Sequence, residues 1–219
     1  MIDTVIFDLD GTLLNTLEDL TDSVNYAMEK MNVPPHTAEE VRMMVGNSAV
    51  FLIKCAMPQG SSQERLDTCL KVFEEHYHAN LRNKTAPYDG VMQMLADVKA
   101  KGYKTAVVSN KGDLSVKELV KDFFGDYASV AIGRSADLPR KPAPDTVWRA
   151  VELLGSQREN CVYVGDSEVD CLTAQNAGMP CVSCLWGFRD RETLEQAGAT
   201  CFISAPTELI GAVEKLQNK

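Results

Sequence analysis

The spacing of apolar residues along the chain changes twice, which divides the sequence into three stretches. Thr4 to Leu9 is a short run of apolar, β-branched and aromatic residues that predicts a buried strand. From Leu17 to Leu81 the apolar residues recur every three or four positions, as in amphipathic helices. Beyond Pro87, patterns typical of strands and helices alternate. The sequence therefore predicts a helical insert that interrupts an α/β domain after its first strand.

Polar residues at the expected starts of three helices have the spacing of helix caps. The pairs are Thr16 with Asp19, Thr37 with Glu40, and Ser61 with Glu64. The apolar face of the long helix that follows the third pair is predicted at Leu66, Leu70, Phe73, Tyr77 and Leu81. We therefore expect several capped helices and no strand in the insert.

The last stretch predicts a parallel sheet with helices on both faces, because strands alternate with helices. Strands are expected at Lys104 to Ser109, Ala128 to Ile132, Cys161 to Gly165, Pro180 to Cys184 and Cys201 to Ile203. Helices are expected at Val91 to Ala100, Val116 to Phe123, Asp145 to Leu154, Val169 to Ala177 and Glu192 to Ala197. The predicted fold class is α/β, a three-layer Rossmann-like core of residues 1–15 and 83–219 with a helical bundle at 16–82.

Composition and charge exclude several classes of protein. A chain of 219 residues with 45% hydrophobic and 24% charged residues is typical of a globular protein, not of a disordered or coiled-coil one. A net charge of -9 without a basic patch disfavours binding to nucleic acid or to anionic lipid. We find no apolar stretch near the roughly 18 residues that span a bilayer. We therefore expect a cytoplasmic protein with reduced cysteines and no membrane or nucleic-acid partner, and the oligomeric state stays open.

Four polar clusters lie at or near the expected carboxyl ends of strands, where doubly wound sheets bind their ligands. The clusters are Asp8 and Asp10; Ser109 and Asn110; Arg140 to Pro144, which contains Lys141; and Gly165, Asp166, Ser167 and Asp170. We expect them to converge on one place at the edge of the sheet.

The carboxylates of this edge predict a metal ion. Asp8, Asp10 and Asp166 would repel one another unless a cation lay between them. Oxygen ligands without Cys or His favour Mg²⁺, and Mg²⁺ in turn favours a phosphorylated substrate.

The same clusters contain the groups that phosphoryl transfer needs. A lysine, a hydroxyl and the N–H groups of Gly11 and Asn110 could surround the charge of a transferring phosphoryl group. Asp8 would attack phosphorus, and Asp10 would protonate the leaving oxygen and later activate water. Asp-x-Asp-Gly-Thr alone could be only a turn that closes a strand. Four clusters in order, each near a strand end, favour the catalytic interpretation.

Four motifs resemble those of the haloacid dehalogenase superfamily. They are Phe7 to Leu13, Val107 to Lys111, Lys141-Pro142 and Val164 to Asp170. The helical insert resembles the C1 cap of that superfamily. Lys141 to Pro144 and Trp186 to Asp190 are similar to its phosphoglycolate phosphatase branch.

The resemblance implies a role for each motif residue. Asp8 would be the nucleophile and Asp10 the acid and base. The Mg²⁺ site would consist of Asp8, the backbone carbonyl of Asp10, and Asp166. Phosphate would be bound by Ser109, Asn110, Lys141, Gly11 and Thr12. Asp170 would support the metal site or Lys141. The implied reaction is Mg²⁺-dependent hydrolysis of a small phosphorylated metabolite, with 2-phosphoglycolate as the best candidate.

Several alternatives stay open from the sequence. The same core could serve a sugar-phosphate phosphatase, a pyrophosphatase, a phosphoglucomutase-like enzyme or a binding module without turnover. Candidate substrate contacts in the insert are Asn15, Thr16, Gly46, Asn47, Ser48 and Lys54. Trp186 to Arg189 could be either a loop packed against the site or a surface turn. Cys181 and Cys184 are expected to be buried strand thiols.

Overall fold

The computed structural model describes residues 1–217, which form two compact units. Met1–Leu14 and the chain from Pro87 onward make up one unit, and Asn15–Ala86 makes up the other. The strands are β1 (Thr4–Phe7), β2 (Leu14–Asn15), β3 (Ala86–Pro87), β4 (Lys104–Gly112), β5 (Val130–Arg134), β6 (Cys161–Gly165), β7 (Cys181–Cys184) and β8 (Phe202–Ile203). The helices are α1 (Leu17–Lys30), α2 (Ala38–Met44), α3 (Ala49–Ala56), α4 (Gln63–Asn80), α5 (Val91–Ala100), α6 (Asp113–Phe124), α7 (Asp145–Leu153), α8 (Glu168–Ala177), α9 (Arg191–Gln196) and α10 (Leu209–Gln217).

A six-stranded sheet with the order β5-β4-β1-β6-β7-β8 forms the centre of the first unit. Its strand pairs run parallel, and Phe7 of β1 lies opposite Val107 of β4 and Val164 of β6. All four residues of β1 are buried, as expected for a strand covered on both faces. The predicted parallel α/β fold is confirmed.

The strand predicted at Ala128 to Ile132 begins two residues before the observed β5. The sequence placed its start at Ala128, whereas the strand begins at Val130. The N–H groups of Tyr127 and Ala128 donate to the carbonyl of Phe124, 2.8 and 3.0 Å away, so these two residues close a turn after α6.

Of the three helix caps predicted in the second unit, the structure confirms one. The capping box of Thr37 and Glu40 is confirmed. Ser61 is not the cap of α4, because Ser62 takes that position and its hydroxyl accepts from the N–H of Arg65. Thr16 precedes α1, but its side chain makes no cap hydrogen bond.

Asp19 has a different role from the predicted cap. Its buried carboxylate accepts hydrogen bonds from the N–H groups of Lys84 and Thr85 and from the Thr85 hydroxyl, at 2.8 to 3.0 Å. These bonds attach the segment after α4 to α1. The helical unit accordingly extends to Ala86, whereas the sequence prediction ended the insert at residue 82.

No helix within residues 1–217 has the length and apolar character needed to cross a membrane.

Candidate active site

The nucleophile candidate Asp8 lies at the carboxyl end of the central strand. Its N–H donates to the carbonyl of Val164 at 2.9 Å, which continues the pairing of β1 with β6 by one residue. Asp166 follows β6 at the same edge and is fully buried. The parallel register therefore brings two of the predicted carboxylates together, as the sequence indicated.

Lys141 reaches this edge from the loop between β5 and α7 and is almost completely buried. Its Nζ donates to Oδ1 of Asp8 at 2.7 Å, Oδ1 of Asp170 at 2.8 Å and the hydroxyl oxygen of Tyr163 at 2.9 Å. The carbonyl of Val108 lies 3.2 Å from the same atom. The ammonium group thus fixes one carboxylate oxygen of Asp8.

Both oxygens of Asp170 are occupied by donors. Oδ1 accepts from Lys141 and from the Tyr163 hydroxyl, which lies 3.0 Å away. Oδ2 accepts from the N–H groups of Asp166 and Ser167 and from the Ser167 hydroxyl, which lies 2.6 Å away. These contacts favour the second of the two predicted roles for Asp170, support of Lys141.

Asp166 is held in a narrow space between two loops. Its Oδ1 accepts from the Thr12 hydroxyl and its Oδ2 from the N–H of Phe188, both at 2.8 Å. A Cβ atom added to Gly11 or Gly187 would lie 2.3 Å from an atom of the Asp166 side chain, so both positions require glycine. Gly11 also has a backbone φ of +91°, which residues with a side chain rarely adopt.

Gly11 and Thr12 use their donors within the loop and on Asp166, and their binding of phosphate stays a prediction. The N–H of Gly11 donates to the carbonyl of Leu14 at 2.9 Å, and the N–H of Thr12 donates to that of Leu9 at 3.3 Å. The Thr12 side chain is fully buried, and its hydroxyl donates to Asp166. Both residues therefore shape and orient the Asp166 site, because their donors are already used within the loop.

Ser109 and Asn110 lie at the same edge of the sheet, in the last part of β4. The Ser109 hydroxyl oxygen accepts from the N–H of Lys111 at 3.2 Å, so its own proton can be donated elsewhere. The side-chain amide of Asn110 donates to the backbone carbonyl of Lys141 at 3.0 Å. The Asn110 side chain thus positions the Lys141 loop, and binding of phosphate by its N–H stays a prediction.

The side chain of Asp10 is not where the acidic cluster was expected. Asp8, Asp166 and Asp170 each offer an oxygen within 4.8 Å of the others, whereas Asp10 pairs with Lys111. The Lys111 Nζ lies 2.8 and 3.0 Å from the two oxygens of Asp10. The Asp10 carboxylate therefore lies outside the group formed by Asp8, Asp166 and Asp170, since the Lys111 ammonium holds it. Only its backbone carbonyl stays as a predicted metal ligand.

Burial dominates the electrostatics of this cluster. It raises the pKa of Asp8 well above its usual range, and the charge of Asp170 raises it further against the opposing effect of Lys141. Burial and the charge of Asp170 raise the pKa of Asp166 to about 7, although the N–H of Phe188 and the Thr12 hydroxyl lower it. Burial lowers the pKa of Lys141, but Asp170 and Asp8 outweigh this and leave it above its usual value.

The donor set fits a divalent cation. One ammonium group faces three buried carboxylates, so two negative charges would be uncompensated when all are ionised. The three acidic groups offer only oxygen atoms, which is the chemistry that Mg²⁺ prefers. Because donors already surround Asp170, Asp8 and Asp166 are the two side chains best suited to hold the ion.

The Trp186–Arg189 segment packs against the site, which is the first of its two predicted placements. The indole Nε1 of Trp186 donates to the carbonyl of Thr12 at 3.0 Å. Arg189 is buried and pairs with Glu168, the first residue of α8. No role for Lys111, Tyr163 or Glu168 was predicted from the sequence. Lys111 could have been found, since it directly follows Ser109 and Asn110.

Of the candidate substrate contacts in the helical unit, one is fully buried and another caps a helix. Thr16 is fully buried. The Ser48 hydroxyl accepts from the N–H of Phe51 at 3.2 Å and so caps α3. Lys54 of α3 is exposed. The roles predicted for Asn15, Gly46, Asn47 and Lys54 stay predictions.

Comparisons with known proteins agree with the motifs. The family model of haloacid dehalogenase-like hydrolases matches residues 5–184. A phosphoglycolate phosphatase of Mesorhizobium japonicum is 32% identical over 198 residues, which cover 87% of this chain and 86% of the relative. Phosphoglycolate phosphatase 1 of Pseudomonas aeruginosa is 30% identical over 217 residues, with 96% and 79% covered.

A solved structure has the same fold over nearly the whole length. It is a protein of Lactobacillus delbrueckii subsp. bulgaricus that is provisionally assigned as a phosphoglycolate phosphatase. Its TM-score to this chain is 0.91, with 33% identity and coverage of 94% of this chain and 96% of that chain. With the four motifs at one sheet edge and a family match over most of its length, the chain belongs to the haloacid dehalogenase-like hydrolases.

Proposed function

We propose that this hydrolase is a Mg²⁺-dependent phosphatase that acts on a small phosphomonoester through Asp8. One observation carries the proposal. A buried carboxylate directly after the central strand has one oxygen fixed by a buried lysine, 2.7 Å away, and lies beside a second acidic group, Asp166. A carboxylate that attacks phosphorus works best when it is fixed in place and positive charge lies nearby.

The chain's own residues account for both half-reactions. Asp8 attacks phosphorus and forms an aspartyl-phosphate, and Lys141 offsets negative charge on the transferring group. Asp10 must first separate from Lys111, which holds both of its oxygens, and it then gives a proton to the leaving oxygen and takes one from the attacking water. Ser109, whose hydroxyl proton is available, donates to a phosphoryl oxygen.

The proposed metal site uses the side chains of Asp8 and Asp166 and the backbone carbonyl of Asp10. Bound Mg²⁺ would supply positive charge that stabilises the transferring phosphoryl group. Thr12 and Phe188 orient the carboxylate of Asp166 by one hydrogen bond to each oxygen. Each oxygen therefore keeps a lone pair for the cation.

We infer 2-phosphoglycolate as the substrate from the names of the relatives, which are about one-third identical over most of both chains. Cytoplasmic location and the lack of a nucleic-acid partner, expected from composition and charge, belong to the same proposal. The test is phosphate release by the purified protein with Mg²⁺ from 2-phosphoglycolate, sugar phosphates, pyrophosphate and p-nitrophenyl phosphate. We expect the highest kcat/KM with 2-phosphoglycolate. No release from any phosphomonoester would overturn the proposal, and a clear preference for a sugar phosphate or pyrophosphate would overturn the substrate.

Magnesium binding should weaken as the pH falls. Because the metal-free pKa of Asp166 is about 7, most Asp166 is protonated at pH 6, and the ion must displace that proton. We expect the dissociation constant for Mg²⁺ to be at least about tenfold larger at pH 6 than at pH 8, since the Asp166 proton competes over that interval and the raised pKa of Asp8 acts in the same direction. Isothermal titration calorimetry without substrate measures this directly. Equal affinity at both pH values would show that the ion displaces no proton from Asp166, which would contradict either its raised pKa or its assignment as a ligand.

A further inference from the structure

The loop between β7 and α9 touches the Asp166 site through its backbone. The N–H of Phe188 donates to Oδ2 of Asp166 at 2.8 Å. Gly187 lies so close that a Cβ atom there would be 2.3 Å from the Cβ of Asp166. The orientation of the Asp166 carboxylate therefore depends on where this loop lies.

One ion pair attaches the loop to the start of α8. The Arg189 Nε donates to Oε2 of Glu168 at 2.8 Å, and Nη2 donates to Oε1 at 3.4 Å. The Arg189 side chain is 6% exposed and that of Glu168 is 38% exposed. The arginine end of the pair is therefore shielded from solvent. Two nitrogens of Arg189 donate to two oxygens of Glu168, which restricts the geometry of both side chains.

Glu168 also matters through its charge. It lies two residues after Asp166 in a region that already contains the buried carboxylates of Asp8, Asp166 and Asp170. Without a partner, its carboxylate would add negative charge beside the proposed ligands. The ion pair with Arg189 neutralises that charge. It also fixes the position of Arg189, which directly follows the Phe188 donor.

We propose that Arg189 and Glu168 are positioning residues that hold Asp166 in the orientation that binds Mg²⁺. The inference rests on the proposed metal site and assigns a role to two residues outside it. The proposal gives neither residue a direct contact with the ion or the substrate. They act through the loop backbone, which donates to Asp166.

The test is Arg189→Gln, with Mg²⁺ binding measured by calorimetry in the absence of substrate. We expect Mg²⁺ to bind at least tenfold more weakly, since partners of metal ligands typically contribute about 10- to 100-fold to affinity. The concentration of Mg²⁺ that half-saturates hydrolysis should rise by the same factor. At saturating Mg²⁺, kcat should stay within about threefold of the wild type, because the reacting groups are intact.

Two further variants separate positioning from a general loss of structure. Arg191→Gln breaks an exposed ion pair within α9, in which Arg191 Nε lies 3.3 Å from Oε1 of Glu195. This variant should leave Mg²⁺ affinity unchanged. Arg189→Glu combined with Glu168→Arg restores the opposite charges and should recover part of the lost affinity. If Arg189→Gln does not fold, Glu168→Gln at the more exposed partner should show the same weakening.

Unchanged or tighter Mg²⁺ binding by folded Arg189→Gln or Glu168→Gln would overturn the inference. So would failure of the charge-swapped protein, when folded, to bind more tightly than Arg189→Gln. The binding experiment needs no turnover. A wild-type protein that binds Mg²⁺ but hydrolyses no phosphomonoester would therefore refute the proposed function alone.

Discussion

Asp8→Asn is expected to lower phosphate release by at least about 10³-fold, because the amide lacks the charged oxygen that attacks phosphorus. The substitution preserves the size of the side chain and leaves an oxygen that can still accept from Lys141. The fold should therefore persist. Initial rates of phosphate release with saturating Mg²⁺ and 2-phosphoglycolate give the measurement, and circular dichroism reports the fold.

Asp3→Asn is the matched control for that experiment. Asp3 is exposed just before β1, at the opposite end of the strand from Asp8. The same chemical change there should leave the rate unchanged. A folded Asp8→Asn protein with more than about a tenth of wild-type activity would exclude Asp8 as the nucleophile.

Lys141→Met is expected to reduce kcat by about 10²-fold or more, in the range measured when one donor to a developing charge is removed. It should also destabilise the fold by about 3–5 kcal/mol, since Asp8 and Asp170 would lose their buried cation. Phosphate release and denaturant unfolding measure the two effects. Adding Asp170→Asn removes one uncompensated carboxylate and should recover stability without recovering activity.

Lys104→Met provides the comparison for the loss of a lysine. Lys104 begins β4, and its ammonium donates to the carbonyls of Leu154 and Gly155 on the exposed surface. We expect little change in kcat from this variant. Lys141→Met with kcat within about threefold of the wild type would show that the Lys141 charge does not act on the reaction.

The order of strands and helices was predictable because apolar spacing records which faces of each element are buried. β6 and α5 have the bounds that the sequence indicated, Cys161–Gly165 and Val91–Ala100. Local hydrogen bonds are harder to predict. Ser61 and Ser62 are both suitable caps for α4, and only the backbone path selects Ser62.

The meeting of Asp8, Lys141, Asp166 and Asp170 was predictable because parallel strands place their carboxyl ends at one edge. The direction in which each donor of the loops points was not predictable from the sequence. The Thr12 hydroxyl could have faced a phosphate, but the turn after β1 directs it to Asp166.

The pairing of Asp10 with Lys111 joins residues 101 positions apart. The register of β1 with β4 places both residues at one end of the sheet, but the contact also depends on the rotamers of the two side chains, which the sequence does not indicate.

Chemical trapping of the aspartyl-phosphate tests most directly whether Asp8 is the nucleophile. The wild-type protein is mixed with 2-phosphoglycolate and Mg²⁺, quenched with acid within a single turnover and reduced with tritiated borohydride, which converts a phosphorylated aspartate to homoserine. We expect tritiated homoserine at position 8 in the wild type and none there in Asp8→Asn. Rapid phosphate release with no label at position 8, or with the label on another aspartate, would contradict it.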